Sequence, residues 1–217
     1  MTPTPHLTLG LLLTAAAGFS DVVSFIELGG HFTSFVSGNT TQLGDALALG
    51  AWPVAVLTAS LVGLFFAGSL LGSLLALLAG PRWGSALVTA LVLLSFVATL
   101  VGAALGLPPR QFMLFLAAGA GAQNAILPST GAARLGTTFV TGTLFAAGQD
   151  LARALRGLAP PWRWVQHLLV WFSLLLGGLL GGLGYAALGL NALLVPGLVY
   201  LGFCIAFLLR RPAKVMA

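Results

Sequence analysis

Six long apolar segments dominate this sequence and restrict what the chain can fold into. They lie at about 7–28, 53–80, 84–107, 111–129, 163–188 and 191–209. Proline, glycine pairs or charged residues separate them. A helix needs about 20 apolar residues to cross the hydrocarbon core of a bilayer. We therefore expect an all-α integral membrane protein with the lipid bilayer as its partner, and we expect the first segment to be a retained span, because no Lys or Arg precedes it as in a signal peptide.

The composition argues against a soluble domain. Of 217 residues, 59% are hydrophobic and only 13 carry a formal charge, nine Lys or Arg and four Asp or Glu, whereas a soluble domain is about a quarter charged. The net charge of +5 reflects a scarcity of acids. The basic residues are not interleaved with exposed aromatic residues, so nucleic acid is not expected as a partner.

Two shorter segments are polar. They run from about Phe32 to Leu49 and from Thr137 to Leu155, and they are rich in Ser, Thr, Gly, Asn and Gln. Such segments should be buried against protein or line a wet cavity. We predict six long transmembrane helices plus two short broken or re-entrant helices, in a single transmembrane domain over residues 1–217.

The basic residues favour this count. Cytoplasmic loops are enriched in Lys and Arg, and six spans place eight of the nine basic residues on one side and only Arg110 on the other. If both polar segments crossed the membrane, eight spans would result and the split would be seven to two. Both counts place the two termini in the cytoplasm, and six spans are preferred.

The two halves of the chain, 1–107 and 108–217, resemble each other. Residues 34–39 (SFVSGN) match 138–143 (TFVTGT) at an offset of 104, and residues 18–21 (GFSD) match 121–124 (GAQN) at an offset of 103. Three long spans per half would make the second half enter the membrane from the opposite side. Inverted repeats of this kind build transporters and channels, with the site at the repeat interface near mid-membrane. Eight spans would instead give a parallel repeat.

A third match relates two glycine pairs. Gly68 and Gly72 correspond to Gly177 and Gly181, and both pairs have the small-xxx-small spacing that lets helices approach closely. Packing within one subunit is expected, and a homodimer through the same face is the alternative.

The polar segments and the residues matched upstream of them supply the candidate binding residues. Gly38 and Gly142 are expected to interrupt their helices and so to free backbone groups for a polar solute or an ion. The alternative is that the nearby hydroxyls bond back to helix carbonyls and only stabilise the bundle. The candidate substrate- or ion-binding residues are Asp21, Ser37, Gly38, Asn39, Thr40, Thr41, Gln123, Asn124, Thr138, Thr141, Gly142 and Thr143.

Asp21 is the most informative single residue. A bare carboxylate inside a span costs at least about 2.5 kcal/mol, so Asp21 should be protonated or should accept hydrogen bonds from a cavity, a cation or the other half. A proton- or cation-linked role and a static role both stay open. Its counterpart Asn124 is neutral, which makes the halves chemically unequal. Asp150 is expected to form an ion pair with Arg153 three residues later.

Catalysis is not expected. Neither His31, which we place in an exposed turn, nor His167, which we place in an interfacial aromatic belt, has a companion at metal-ligand spacing. The sequence contains no convincing nucleophile and base and no phosphate loop. We predict no cofactor, no metal and no enzymatic activity.

The motifs Gly18-Phe-Ser-Asp21, Phe32 to Gly44 and Thr137 to Leu144 resemble the bacterial YoaK family of multi-pass membrane proteins, a domain-of-unknown-function family. The resemblance covers essentially the full chain. It implies a multi-pass protein of the bacterial cytoplasmic (inner) membrane and supplies no substrate. From the inverted repeat and the paired polar segments, we predict a secondary transporter of a small polar solute, coupled to protons or to another cation. The alternatives are a channel for a small solute and a non-transporting membrane scaffold or assembly protein.

Overall fold

The structure is a computed structural model that describes residues 4–127, 138 and 140–209, and all regular elements within these ranges are helices. The elements are α1 (Thr4–Glu27), α2 (Val36–Ala48), α3 (Trp52–Ala104), α4 (Pro109–Gln123), α5 (Val140–Leu155), α6 (Arg163–Leu188), a 3₁₀ helix (Gly189–Leu193) and α7 (Leu194–Leu209). The predicted short helices are thus present as α2 and α5.

Among the described residues, three stretches are long and apolar enough to cross a membrane, namely His6–Glu27, Trp52–Ala104 and Arg163–Leu209. Their outer surfaces carry large apolar side chains: Leu77 and Leu78 are 78% and 85% exposed. Such a surface is stable only in contact with lipid. The prediction of an all-α integral membrane protein in a lipid bilayer is confirmed.

Helix α3 reverses direction in its middle. A straight helix of its 53 residues would be about 80 Å long, far more than the ~30 Å hydrocarbon core. Gly80 has a φ of 70°, and Pro81, which follows it, cannot donate a helix hydrogen bond. A Cβ on Gly84 would lie 2.9 Å from the carbonyl oxygen of Ala76. Two arms result, a first arm over 52–79 and a second arm over 81–104.

Helices α1 and α4 run antiparallel. The Gln123 amide Nε2 donates to the Leu13 carbonyl at 3.0 Å, whereas Ser24, further along α1, contacts Met113, which is earlier on α4. The second arm of α3 is also antiparallel to α4, because Ser85 bonds to Ile126 at one end and Thr99 bonds to Phe112 at the other.

Two other pairs of helices run parallel and approach closely through glycines. Gly68 and Gly72 on the first arm of α3 lie against the backbone of Ala118 and Ala122 on α4. In the same way, Gly177 and Gly181 on α6 lie against the backbone of Ala15 and Phe19 on α1. All four glycines therefore pack within one chain, as expected, and none has room for a side chain.

The remaining directions follow from α7. The Phe96 ring on the second arm of α3 lies 5.3 Å from the Tyr200 ring, and Cys204 contacts the Ala86 carbonyl, so these two helices are antiparallel. Helices α1 and α6 and the second arm of α3 therefore point one way, and the first arm of α3, α4 and α7 point the other. Each short helix, α2 or α5, connects two long helices of opposite direction.

The prediction that Gly38 and Gly142 interrupt helices is wrong. Each lies in the first turn of a continuous helix, α2 or α5, and neither has a positive φ. The first four N–H groups of a helix lack intrahelical acceptors in any case, so a glycine there breaks nothing. In the first half the interruption comes earlier, at Gly29 and Gly30, whose φ angles are 63° and 106°.

The short helices are also less enclosed than expected. Helix α2 packs against α3, and α5 packs against α6. Only Asn39 and Ala46 of α2 are fully buried, together with Val140, Ala147 and Asp150 of α5. Each short helix therefore has one packed side and one open side.

Candidate functional site

Asp21 is buried in α1 and accepts four hydrogen bonds from the segment that precedes α2. The backbone N–H groups of Thr33 and Ser34 donate to Oδ1 at 3.0 and 2.7 Å. The Thr33 hydroxyl donates to Oδ1 at 3.0 Å, and the Ser34 hydroxyl donates to Oδ2 at 2.6 Å. The carboxylate thus accepts hydrogen bonds from two backbone N–H groups that lie outside any helix.

Asn124 takes a similar place in the second half. Its Oδ1 accepts a hydrogen bond from the Thr138 hydroxyl at 3.2 Å. Thr138 matches Ser34 in the sequence repeat, as Asn124 matches Asp21. The structure therefore places both pairs of matched residues in contact, with a carboxylate in one pair and an amide in the other. Residue 137, the counterpart of Thr33, lies outside the described residues.

Gln123 connects three helices. Its Nε2 donates to the Leu13 carbonyl on α1, and its Oε1 accepts a hydrogen bond from the Tyr200 hydroxyl on α7 at 2.5 Å. Gln123 is 3% exposed and Tyr200 is 1% exposed. Hydrogen bonds between buried side chains hold the helices in register at this level.

A cavity of about 10 Å³ separates the Asp21 network from Gln123. A volume of that size holds about one water molecule or one small ion. Its polar wall consists of Ser20, Thr33, Ser34 and Gln123. Neither Gly38 nor Gly142 borders the cavity. The other lining residues are Ala17, Val92, Phe96, Leu116 and Ala120.

Asn39 is a structural clamp. Its Oδ1 accepts from the Phe32 N–H at 3.1 Å, and its Nδ2 donates to the Phe32 carbonyl at 2.6 Å. Asn39 is 1% exposed, so the loss of either bond would leave a buried polar group unpaired. This pair of bonds fixes the segment that reaches Asp21 onto the start of α2.

The other predicted site residues lie away from the cavity. Thr40 and Thr41 donate to the carbonyls of Val36 and Ser37, four residues earlier, and Thr143 donates to Val140. Their hydroxyls behave as the static alternative expects. Ser37, Thr40, Thr41, Thr141 and Gly142 are exposed.

Four residues of this site were not predicted as site residues. Ser20, Thr33 and Ser34 precede or adjoin the predicted positions, and Tyr200 lies in the last apolar segment. A tyrosine in the middle of an apolar run, far from a membrane interface, is a signal that could have found the last of these. The hydroxyl partners of Asp21 are 12 and 13 residues away, and no helical or strand period relates them.

Asp150 forms an ion pair with Arg163 rather than with Arg153 as predicted. Arg163 Nε donates to Oδ2 at 2.7 Å, and a second guanidinium nitrogen, Nη2, donates to Oδ1. His167 Nε2 lies 3.3 Å from the same carboxylate, so this histidine has a carboxylate partner. The Arg163 guanidinium holds the pKa of Asp150 below its usual value. This pair ties α5 to the beginning of α6.

His31, which the sequence places in an exposed turn, is instead half-buried beside Gln42, and the two side chains are 2.5 Å apart.

The polar side chains that line the cavity supply three hydroxyls and one amide, and the Asp21 carboxylate is hydrogen-bonded to two of these hydroxyls, those of Thr33 and Ser34. Both ion pairs among the described residues involve Asp150, so Asp21 has no basic partner there. Within the same ranges, no group of three His, Cys, Asp or Glu could hold a metal ion. The site can therefore hydrogen-bond a neutral solute or attract a cation, but it offers nothing that attracts an anion.

The family described as "Protein of unknown function (DUF1275)" matches residues 9–207, nearly the whole chain. The chain belongs to the YoaK family. The UPF0700 transmembrane protein YoaK of Bacillus subtilis (strain 168) is 31% identical over 156 residues, which cover 68% of each chain. The UPF0700 transmembrane protein RA0705 of Rhizobium meliloti (strain 1021) is 29% identical over 198 residues, 89% of this chain and 84% of the relative. No solved structure matches.

Membership of the YoaK family confirms a bacterial transmembrane protein. The names of both relatives describe transmembrane proteins and state no activity. Function must therefore be argued from the site.

Proposed function

We propose that this YoaK-family protein is a secondary transporter of a small polar solute, which binds between two inverted repeats near mid-membrane. The repeats are residues 1–107 and 108–217, with three spans each. Helices α2 and α5 do not cross: α2 enters and leaves on the outer side, and α5 enters and leaves on the cytoplasmic side. The protein is not an enzyme in this proposal, and it lies in the cytoplasmic membrane with both termini in the cytoplasm.

The directions of the matched helices support inversion. Helix α1 corresponds to α4, and these two run antiparallel. The second arm of α3 corresponds to α7, and these also run antiparallel. A parallel repeat would make corresponding helices parallel. Because α2 and α5 each connect helices of opposite direction, neither needs to cross the membrane.

The glycine contacts support the same two-fold relation. Gly177 meets Ala15 on α1, just as Gly68 meets Ala118 on α4. Ala15 and Ala118 are 103 residues apart, the offset that relates Asp21 to Asn124. Each half therefore contributes its first helix to a parallel contact with the other half, as two repeats that exchange contacts around one axis would.

The observation that carries the proposal is the small, partly polar cavity between α1, α4 and the second arm of α3. Ser20 and Gln123, which line it from the two helices, occupy matching positions of the repeat. Transporters built from inverted repeats bind solutes at such an interface. In this proposal the cavity is the closed form of the site and widens when one half tilts against the other. The absence of a basic residue at its described wall favours a neutral or cationic solute.

Proteoliposomes with and without the protein test the proposal, through an untargeted comparison of the metabolites that they take up and release. We expect a small solute to accumulate in a saturable manner when an ion gradient is imposed. Ser20→Ala should raise the KM of this uptake about 5-fold, because about one hydrogen bond to the solute is lost. Ser37→Ala, on the exposed side of α2, should leave the KM unchanged.

The other outcomes contradict the proposal. Flux that never saturates and ignores the gradient would indicate a channel. Identical metabolite profiles with and without the protein, over neutral and cationic solutes, would favour the scaffold, whose polar residues only hold helices together.

A further inference from the structure

We infer that Asp21 and the hydroxyl groups around it form a binding site for a small monovalent cation, and that Na⁺ is the ion that fits. The binding of this ion does not depend on the proposed function. Its role as the coupling ion does rest on that function, and the experiments below separate the two.

Several side-chain oxygen atoms lie close together around Asp21. Asp21 Oδ1 accepts three hydrogen bonds, but Oδ2 accepts one, from Ser34, and so keeps a lone pair. The Thr33 hydroxyl lies 3.2 Å from the Ser24 hydroxyl. Hard cations such as Na⁺ bind oxygen ligands of these kinds, from carboxylates, hydroxyls and carbonyls.

Space for an ion lies beside the Thr33 and Ser34 hydroxyls, which separate Asp21 from the cavity. Ser20, Thr33 and Ser34 line the cavity of about 10 Å³, which holds one ion or one water molecule. A serine or threonine hydroxyl can donate its proton to a carboxylate and still direct a lone pair at a cation. The Asp21 network can therefore bind an ion without losing its own hydrogen bonds.

The charge of Asp21 favours a monovalent cation. Asp21 is buried in a span and has no basic partner among the described residues. An uncompensated charge at this depth is costly. One monovalent cation makes the site neutral, whereas a divalent cation would leave an excess positive charge in the bilayer.

The small volume of the cavity selects the smaller ion. The cavity measures about 10 Å³. A cavity of this size accommodates a small ion better than a large one, because cavity size is one determinant of cation selectivity. Na⁺ should therefore bind more tightly than K⁺, and choline should not bind.

Thermal unfolding of the purified full-length protein tests binding directly. NaCl is replaced by KCl or choline chloride at constant ionic strength. We expect Na⁺ to raise the apparent Tm by about 3–5 °C over choline, with a smaller rise in K⁺. Asp21→Asn should abolish the Na⁺ response, whereas Asp45→Asn, the same change at an exposed acid of α2, should retain it.

A second variant guards against misfolding of the first. Thr33→Val keeps the backbone N–H that Asp21 accepts but removes a hydroxyl oxygen, so it should weaken Na⁺ binding at least about 5-fold. Equal Tm values of the wild type in Na⁺, K⁺ and choline overturn the site. A Tm that follows pH and ignores Na⁺ also overturns it, in favour of a proton.

Transport measurements distinguish this inference from the proposed function. Na⁺ stabilisation with no solute movement would retain the cation site and contradict the transporter. Solute accumulation driven by a proton gradient, with no effect of Na⁺ on Tm, would retain the transporter and overturn the cation site.

Discussion

In the first half of the chain a carboxylate, Asp21, holds the segment before α2 through four hydrogen bonds. At the matching place in the second half an amide, Asn124, accepts a hydrogen bond from Thr138. A contact between matched residues is repeated, but the negative charge is present only in the first of the two pairs. The two halves therefore differ in charge at this level, and the proposed cation site uses this difference.

The glycine contacts show the opposite, because they are the same in both halves. A Cβ at Gly68 would overlap the Ala118 carbonyl, and a Cβ at Gly177 would overlap the Ala15 carbonyl. Backbone packing is thus preserved between the halves, while the side chains at the cavity have diverged. Substitutions at matched positions that destabilise the protein equally should therefore report on the fold. Matched substitutions with unequal effects should report on the site.

The largest effect is expected from filling the glycine contacts. Gly68→Ala and Gly177→Ala should each cost at least about 4 kcal/mol, because a methyl group cannot share space with a helix backbone. The two costs should be similar. Gly63→Ala, with open space, and Gly182→Ala, whose Cβ would lie 3.6 Å from Val22, are the controls. Chemical unfolding in detergent gives these values, and a large cost in one half with none in the other would refute the shared packing.

The next effect separates the two anchors. Asp21→Ala should cost about 3 kcal/mol, because the N–H groups of Thr33 and Ser34 lose their acceptor in a buried place. Asn124→Ala should cost about 1 kcal/mol, since neutral hydrogen bonds are lost, one from the Thr138 hydroxyl and a local one to the Ala120 carbonyl four residues earlier. Chemical unfolding of both variants measures these two changes in the free energy of unfolding. Equal costs would mean that the carboxylate gives the first half no additional anchoring.

A smaller effect is expected at the starts of the short helices. Asn39→Ala should cost about 2 kcal/mol, because Phe32 loses both of its side-chain hydrogen bonds. Thr143→Ala, at the matching position, should change stability by no more than about 0.5 kcal/mol, because its hydroxyl only bonds back to Val140. The same unfolding assay measures both. A tolerated Asn39→Ala would remove the clamp from this account.

The smallest effect concerns the Asp150–Arg163 ion pair, which has no counterpart among the described residues of the first half. The pKa of Asp150 is held below its ordinary value of 3.8. This pair therefore stabilises the folded protein above about pH 4 and stops doing so as the pH falls through the lowered pKa. Asp150→Asn should lower Tm by a few degrees at pH 7, and the difference from wild type should vanish in strong acid. A difference that grows on acidification would contradict this sign.

Much of the fold was predictable, because hydropathy marks membrane segments strongly. The short helices α2 and α5 start within a few residues of the polar segments at Phe32 and Thr137. The glycine pairs also pack as their spacing predicts. These features depend on local composition and spacing, which a single sequence contains.

The site was predictable only in part. Asp21 attracts attention because a carboxylate inside a span needs compensation. Its partners Thr33 and Ser34 depend on how the chain turns at Gly29 and Gly30, which no local pattern specifies. The sequence predicts a helix break at Gly38, because a glycine among small polar residues looks the same at the start of a helix as at a break within one. Only the three-dimensional structure separates these cases.

The central claim is that the two halves enter the membrane from opposite sides, and the sidedness of one matched pair of loops tests it most directly. Leu49, after α2, and Leu158, after α5, are each 75% exposed. Single cysteines at these positions, in a Cys204→Ser background, can be labelled in intact cells with a reagent that does not cross the membrane. We predict labelling of Leu49→Cys from outside and of Leu158→Cys only after the membrane is opened. Labelling of both from the same side would contradict the inverted repeat.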